Sequence, residues 1–246
     1  MSHPLVCMPK RIIQIATSSG LAPYSLFLLV TFMIAMKQPV SDKVSPGKNY
    51  TYLALGDSYT IGEKVDPRDN FPSQVITILK EKEIGFAIPE IVAQTGWTTG
   101  ELAAAIRRSP LQSHYDFVTL LIGVNNQYRG RKVETYIPEF ESLLRHAIQF
   151  AGNDANHVIV LSIPDWGVTP FAAGRDRIQI AKEIDEYNAA SERITKKYKV
   201  HYIDITPGTR DAIKDSSLLA SDGLHPSAKE YARWAEEVAR FIQSKL

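Results

Sequence analysis

Four short stretches carry residues whose types could together perform acyl transfer. Gly56-Asp57-Ser58 offers a hydroxyl, and Gln94-Thr95-Gly96-Trp97 places a glycine in a turn. Gly123-Val124-Asn125-Asn126 offers a side-chain amide, and Asp222-Gly223-Leu224-His225 sets a carboxylate three residues before an imidazole. A serine that transfers acyl groups needs a hydroxyl nucleophile, a base to take its proton, a group to orient that base, and donors for the oxyanion. All four kinds of group are here. Each has a plainer alternative. Ser58 could cap the next helix, Gly96 could be only a turn glycine, and Asn125 only an Asx-turn former. Asp57 reads as a turn or scaffold residue. His225 has an aspartate three residues before it.

The elements around these stretches give the combination its weight. Apolar runs predict strands over Thr51–Leu55, Glu90–Ala93, Phe117–Ile122, His157–Ile163 and Val200–Ile203. Between and after them, amphipathic spacing predicts helices over Pro72–Lys82, Thr99–Arg108, Val133–Ala151, Arg177–Tyr198 and Pro226–Lys245. Thr98-x-x-Glu101 is a capping box, Gly152 follows a helical pattern as a stop, and Pro72 and Pro226 suit first helical turns. Repeated strand–helix units imply a parallel sheet with helices on both faces and right-handed crossovers. Ligands of such sheets sit beyond the carboxyl ends of the strands. Each chemistry-bearing stretch follows a strand, although a short irregular segment separates the last strand from Asp222.

With those residues in view, the chain resembles the GDSL esterase/lipase family, the SGNH hydrolases. Gly56-Asp57-Ser58 matches the first block, with Tyr59 where the family name has leucine. Gly96 matches the second block, Gly123-Val124-Asn125 the third and Asp222-Gly223-Leu224-His225 the last. The resemblance implies a three-layer, doubly wound α/β fold on a five-stranded parallel sheet, flavodoxin-like in kind. It implies Ser58 as nucleophile, His225 as general base, Asp222 as the residue that orients His225, and Ser58, Gly96 and Asn125 as oxyanion donors. One position departs from the pattern: Asn126 stands where the third block usually ends in aspartate, which puts in doubt the support of the site more than its reaction.

The activity so implied is hydrolysis of carboxylic esters or thioesters through an acyl-enzyme. Lipids (lysophospholipids among them), acyl-thioesters, simple esters and acetylated sugars are the substrate classes. An acyltransferase using the same serine, or an inactive binding module of this fold, are the alternatives. No cofactor or metal is expected. Trp97, Trp166 and Trp234 read as packing, though the first two fall in site-facing loops. Arg129 and Arg131 read as contacts to an anionic head group or as a solvated loop. There is no G-x-S-x-G elbow, P-loop, G-x-G-x-x-G or H-E-x-x-H.

Composition agrees with a globular enzyme. Of 246 residues, 44% are apolar and 22% charged, which excludes disordered and polytopic membrane classes. A formal net charge of +1 gives no reason to expect a nucleic-acid partner. Cys7 is the single cysteine, so no intrachain disulfide can form. Charge is uneven: Lys10, Arg11, Lys37, Lys43 and Lys48 stand against Asp42 alone in the first fifty residues. No charge lies between Arg11 and Lys37, and Leu26–Met36 is almost wholly apolar. Residues 1–36 therefore read as an export signal or membrane anchor, 37–49 as a linker and 50–246 as the hydrolase domain. An exported or membrane-anchored protein is expected.

Overall fold

A computed structural model describes residues 49–246. The expected export or anchor segment and the linker up to Lys48 lie outside the described residues. Along the chain run β1 (Tyr52–Asp57), α1 (Ser58–Ile61), α2 (Phe71–Glu81), β2 (Glu90–Gln94), α3 (Thr99–Arg108), β3 (Phe117–Leu121), α4 (Val124–Tyr128) and α5 (Val133–Phe150). They are followed by β4 (Val158–Leu161), α6 (Arg177–Lys197), β5 (His201–Ile203), α7 (Thr206–Thr209) and α8 (Ala228–Gln243).

All five strands are parallel and lie in the order β2-β1-β3-β4-β5. This is the expected three-layer doubly wound arrangement. The inner strands β1, β3 and β4 are buried along their whole length, which is why they read as unbroken apolar runs rather than alternating ones. The edge strands β2 and β5 are only partly covered. Helix α2 packs against α8, and α5 packs against α3 and α6. Right-handed crossovers put these two groups on opposite faces: the chain moves one way from β1 to β2 and the other way from there on. The sheet order reverses between β1 and β3, so a crevice opens beyond their carboxyl ends.

Several boundaries differ from the sequence expectation by one or two residues, and two of the shifts have a clear local reason. The fourth strand stops at Leu161 instead of Ile163, because the Ile163 N–H donates to the Asn188 side chain (2.8 Å) instead of to a neighbouring strand. Helix α8 starts at Ala228, not Pro226. Pro226 instead forms an antiparallel bridge with Leu219 that closes the loop before the helix. The capping box is present: the Glu101 carboxylate accepts from the Thr98 N–H at 2.7 Å. Gly152 adopts the left-handed conformation one residue past the end cap of α5.

Candidate active site

Four strand ends deliver the site. Ser58 is the first residue of α1, directly after β1, so its N–H has no acceptor within the helix. The Asp57 carboxylate caps that turn by accepting from the Tyr59 N–H (3.0 Å). Helix α8 anchors the opposite side. Its start is held to α2 by the Gln74 amide, which donates to the Ala228 carbonyl (3.0 Å), and Trp234 packs on Phe71. The loop before it is closed by the Ala220 N–H on the His225 carbonyl (2.8 Å) and the Ser227 N–H on the Leu218 carbonyl (2.8 Å). That loop presents Asp222 and His225 to Ser58.

The three side chains form one chain of hydrogen bonds. His225 Nε2 lies 3.0 Å from Ser58 Oγ, and His225 Nδ1 lies 2.6 Å from Asp222 Oδ2. The other Asp222 oxygen accepts from the Leu224 and His225 N–H groups, both at 3.0 Å. Burial pushes the Asp222 carboxyl up, but these bonds from the His225 ring and the two amides outweigh it and hold the group below its ordinary range. An ionised Asp222 fixes the imidazole with a proton on Nδ1 and its lone pair on Nε2, toward the serine. The Tyr59 ring packs on the imidazole with centroids 5.0 Å apart. Burial pushes the Tyr59 hydroxyl well up, so the ring stays neutral beside the base.

Gly96 and Asn125 line the same cavity of about 140 Å³ as Ser58 and His225. Gly96 has φ of +82°, which a residue with a Cβ rarely adopts, and its N–H takes no acceptor among the described residues. Asn125 Nδ2 donates to the Trp97 carbonyl (3.0 Å) and more weakly to Asp57 Oδ2 (3.3 Å). Gly123, at the start of α4, has φ of +136°, and a Cβ there would lie 2.8 Å from the Tyr136 ring. Apart from Thr95, the rest of the cavity wall is apolar and aromatic: Tyr59, Val124, Tyr128, Trp166, Phe171 and Leu224. Arg175 caps this wall, with its guanidinium carbon 5.1 Å from the Tyr128 ring centre and 5.3 Å from that of Trp166.

Four of the five expected site residues, Ser58, Gly96, Asn125 and His225, thus line one cavity, and the fifth, Asp222, stands behind His225. The spacing of Asp222 and His225 is not unique, however. Asp154 also precedes His157 by three residues. That pair lies before β4, at the amino end of the sheet, where the His157 ring stacks on Phe117 (4.8 Å). Its place facing Ser58 at the carboxyl end of β1, not the spacing, distinguishes His225. Trp166 lines the cavity, while Trp234 is core. Arg129 and Arg131 are tied to the protein: Arg129 to Gly96 and Glu101, Arg131 to Glu139 at 4.0 Å. Tyr128 and Phe171 gave no sequence signal, because only tertiary packing brings them to the wall. Among the described residues, no cluster of histidine, cysteine, aspartate and glutamate side chains could hold a metal ion.

The Asn126 departure has a structural setting. Its Oδ1 accepts from the Thr99 N–H at the start of α3 (3.0 Å), the bond an aspartate would also make. Its Nδ2 donates to Thr99 Oγ1 (2.7 Å) and faces the Glu139 carboxylate at 3.4 Å, and Thr99 Oγ1 donates to that same carboxylate. An aspartate would set one carboxylate against another.

Comparison with known proteins places these features in context. The sequence model of the GDSL-like lipase/acylhydrolase family matches residues 54–233. The fold is similar to Axe2, an acetylxylan esterase from Geobacillus stearothermophilus, with a TM-score of 0.62 and 19% identity over 80% of this chain and 95% of that one. It is also similar to the lipase/acylhydrolase from Enterococcus faecalis, with a TM-score of 0.61 and 21% identity over 80% and 97%. No curated protein sequence matches.

Two outcomes follow from the buried polar groups. Burial pushes the Asp57 carboxyl up to about 7, against the bonds from Tyr59 and Asn125 that favour its charge. An aspartate in an unfolded chain titrates near ~3.9. Between those values the folded protein holds a proton that the unfolded chain has lost, so stability falls as pH rises, and the loss levels off above about 7. Thermal melting of Asp57→Asn, which cannot ionise, should therefore gain on wild type as pH rises from 4 to 7. A difference that stays constant over that range would contradict the burial effect. Separately, Asn126→Asp should destabilise by ~1–3 kcal/mol, since it removes a buried donor and adds a like charge. Adding Glu139→Gln should recover much of that loss in urea unfolding, whereas strictly additive effects would show that the two groups do not interact.

Proposed function

The chain belongs to the GDSL-like lipase/acylhydrolase family and is an ester-hydrolysing enzyme, and from that premise we propose that it cleaves short-chain carboxylic esters through an acyl-enzyme on Ser58. The observation that carries this reading is the unbroken line from Asp222 through His225 to Ser58, at 2.6 and 3.0 Å. Ser58 Oγ attacks the ester carbonyl while His225 Nε2 takes its proton. The resulting imidazolium is stabilised by Asp222 and returns the proton to the leaving alcohol. The oxyanion is held by the Ser58 and Gly96 N–H groups and by Asn125 Nδ2, whose 3.3 Å bond to Asp57 is the weaker of its two and the one it would give up. Water then attacks the acyl-enzyme with His225 as base.

The substrate follows from the walls. A cavity of about 140 Å³ is well below the ~300–1,000 Å³ of pockets that enclose drug-sized ligands. Acetyl to butyryl groups suit it better than long acyl chains, which speaks against a lysophospholipid. The outer wall presents Tyr128 and Phe171, each 42% exposed, as flat apolar faces for the alcohol part. Acetylated sugars fit such faces, in line with the acetylxylan esterase activity of one structural neighbour. Export or membrane anchoring through residues 1–36 is part of the same proposal.

Turnover of p-nitrophenyl esters from acetate to decanoate tests the reading. The ratio kcat/KM should peak at acetate or butyrate and fall by ~10-fold or more by decanoate, since even one methylene in a hydrophobic pocket changes discrimination measurably. Ser58→Ala should lose the activity, and Phe171→Ala, at the face for the alcohol part, should leave the acyl-chain optimum in place. A decanoate optimum would overturn the short-chain assignment, and undiminished turnover by Ser58→Ala would overturn the nucleophile.

A further inference from the structure

Gly96 has little of its own to fix the direction of its N–H. Glycine occupies either sign of φ readily. The segment that follows β2 has one local backbone tie, the Trp97 N–H on the Gln94 carbonyl at 3.2 Å. Its side-chain ties are the Thr95 hydroxyl on Glu63, the Thr98 N–H on Glu101, and a set from residues 125–129. Asn125 Nδ2 meets the Trp97 carbonyl at 3.0 Å, and Asn126 Oδ1 meets the Thr99 N–H at 3.0 Å. Arg129 alone reaches Gly96 itself: its Nη2 donates to the Gly96 carbonyl at 2.6 Å. The same guanidinium donates through Nη1 to Glu101 Oε1 at 3.3 Å, while the other Glu101 oxygen holds the start of α3. The Arg129 side chain is 43% exposed and its pair with Glu101 is a surface pair, a kind that contributes little to folding. A short charge-assisted bond to a carbonyl beside the nucleophile is a stronger constraint than that pair.

We propose that Arg129 is a positioning residue that aims the Gly96 N–H at the oxyanion. Its guanidinium spans the Gly96 carbonyl and Glu101 at once, and so fixes the dihedral angles of Gly96 from outside. The argument rests on Gly96 being an oxyanion donor, as set out under the proposed function. An arginine suits the task because a planar fork serves two acceptors in fixed geometry, whereas a lysine offers a single point of attachment.

The test measures kcat and KM with p-nitrophenyl acetate, together with inhibition by a small alkylboronic acid, which forms a tetrahedral adduct on an active-site serine. Arg129→Met, shown folded by thermal melting, should lower kcat by about 10- to 100-fold, less than the ~10²–10³ of a deleted donor. KM should stay within about twofold, and boronate affinity should fall in step with kcat/KM, as expected when only transition-state binding is lost. Arg129→Lys should recover part of the kcat. Glu101→Gln keeps the helix cap and the direct bond to Gly96 but loses the second point of the fork, so it should lower kcat by less than Arg129→Met does. An unchanged kcat in Arg129→Met, a rise in KM in place of a fall in kcat, or an equal loss in Glu101→Gln would each overturn the proposal. If Arg129→Met does not fold, Arg129→Lys decides: lower kcat at unchanged KM supports the proposal, and wild-type kcat overturns it. Failure of the underlying reading would show separately, as wild-type enzyme that boronate does not inhibit.

Discussion

The 3.0 Å contact between Ser58 Oγ and His225 Nε2 joins residues 167 apart in sequence, and most of the architecture serves it. Ser58 is fixed by β1, a strand buried along its whole length and lying beside the sheet's reversal point. His225 is fixed by a loop pinned between the Leu219–Pro226 bridge and the start of α8. These two parts meet because α2 and α8 pack on the same face, with Phe71 and Trp234 fully buried between them. A shift of about an ångström along that helix pair would break a hydrogen bond whose working range is only ~2.6–3.2 Å. The packing of the last helix is therefore as much a part of the site as the residues that line it.

Around that contact, carboxyl groups close together are held in different states by their surroundings. Asp222 is kept ionised by three donors, whereas Asp57 is buried with weaker compensation and lifted to about 7. The contrast suits a site that needs a firm negative charge behind the imidazole and less charge beneath the oxyanion donors. The loop carrying Gly96 and the helix carrying Asn125 are tied to one another by Asn125, Asn126 and Arg129, so these two proposed donors are set by one network.

The five strands and five long helices could be read from apolar runs and amphipathic spacing, because burial sets those patterns directly. Helices α1, α4 and α7 could not, since four or five residues are too few to show a period. Ser58, Gly96, Asn125, Asp222 and His225 were legible as an ordered set behind strands. Spacing alone would have admitted Asp154 and His157 equally. Of the aromatic wall, Trp166 was marked by its site-facing loop, whereas Tyr128 and Phe171 were hidden because they lie on separate segments that only tertiary packing brings together. The setting of Asn126 was hidden for a similar reason: its partner Glu139 lies in the following helix, and nothing local marks the pairing.

The central claim is that the Asp222–His225–Ser58 line produces a covalent acyl-serine. Rapid mixing with excess p-nitrophenyl acetate, followed by acid quench and mass spectrometry, tests it directly. The account predicts one acetyl group per enzyme, located on Ser58 and absent in Ser58→Ala. It also predicts that acetyl-enzyme accumulates in His225→Ala far more slowly than in wild type. Turnover without acetyl on Ser58, or acetyl carried on another residue of an active enzyme, would contradict it.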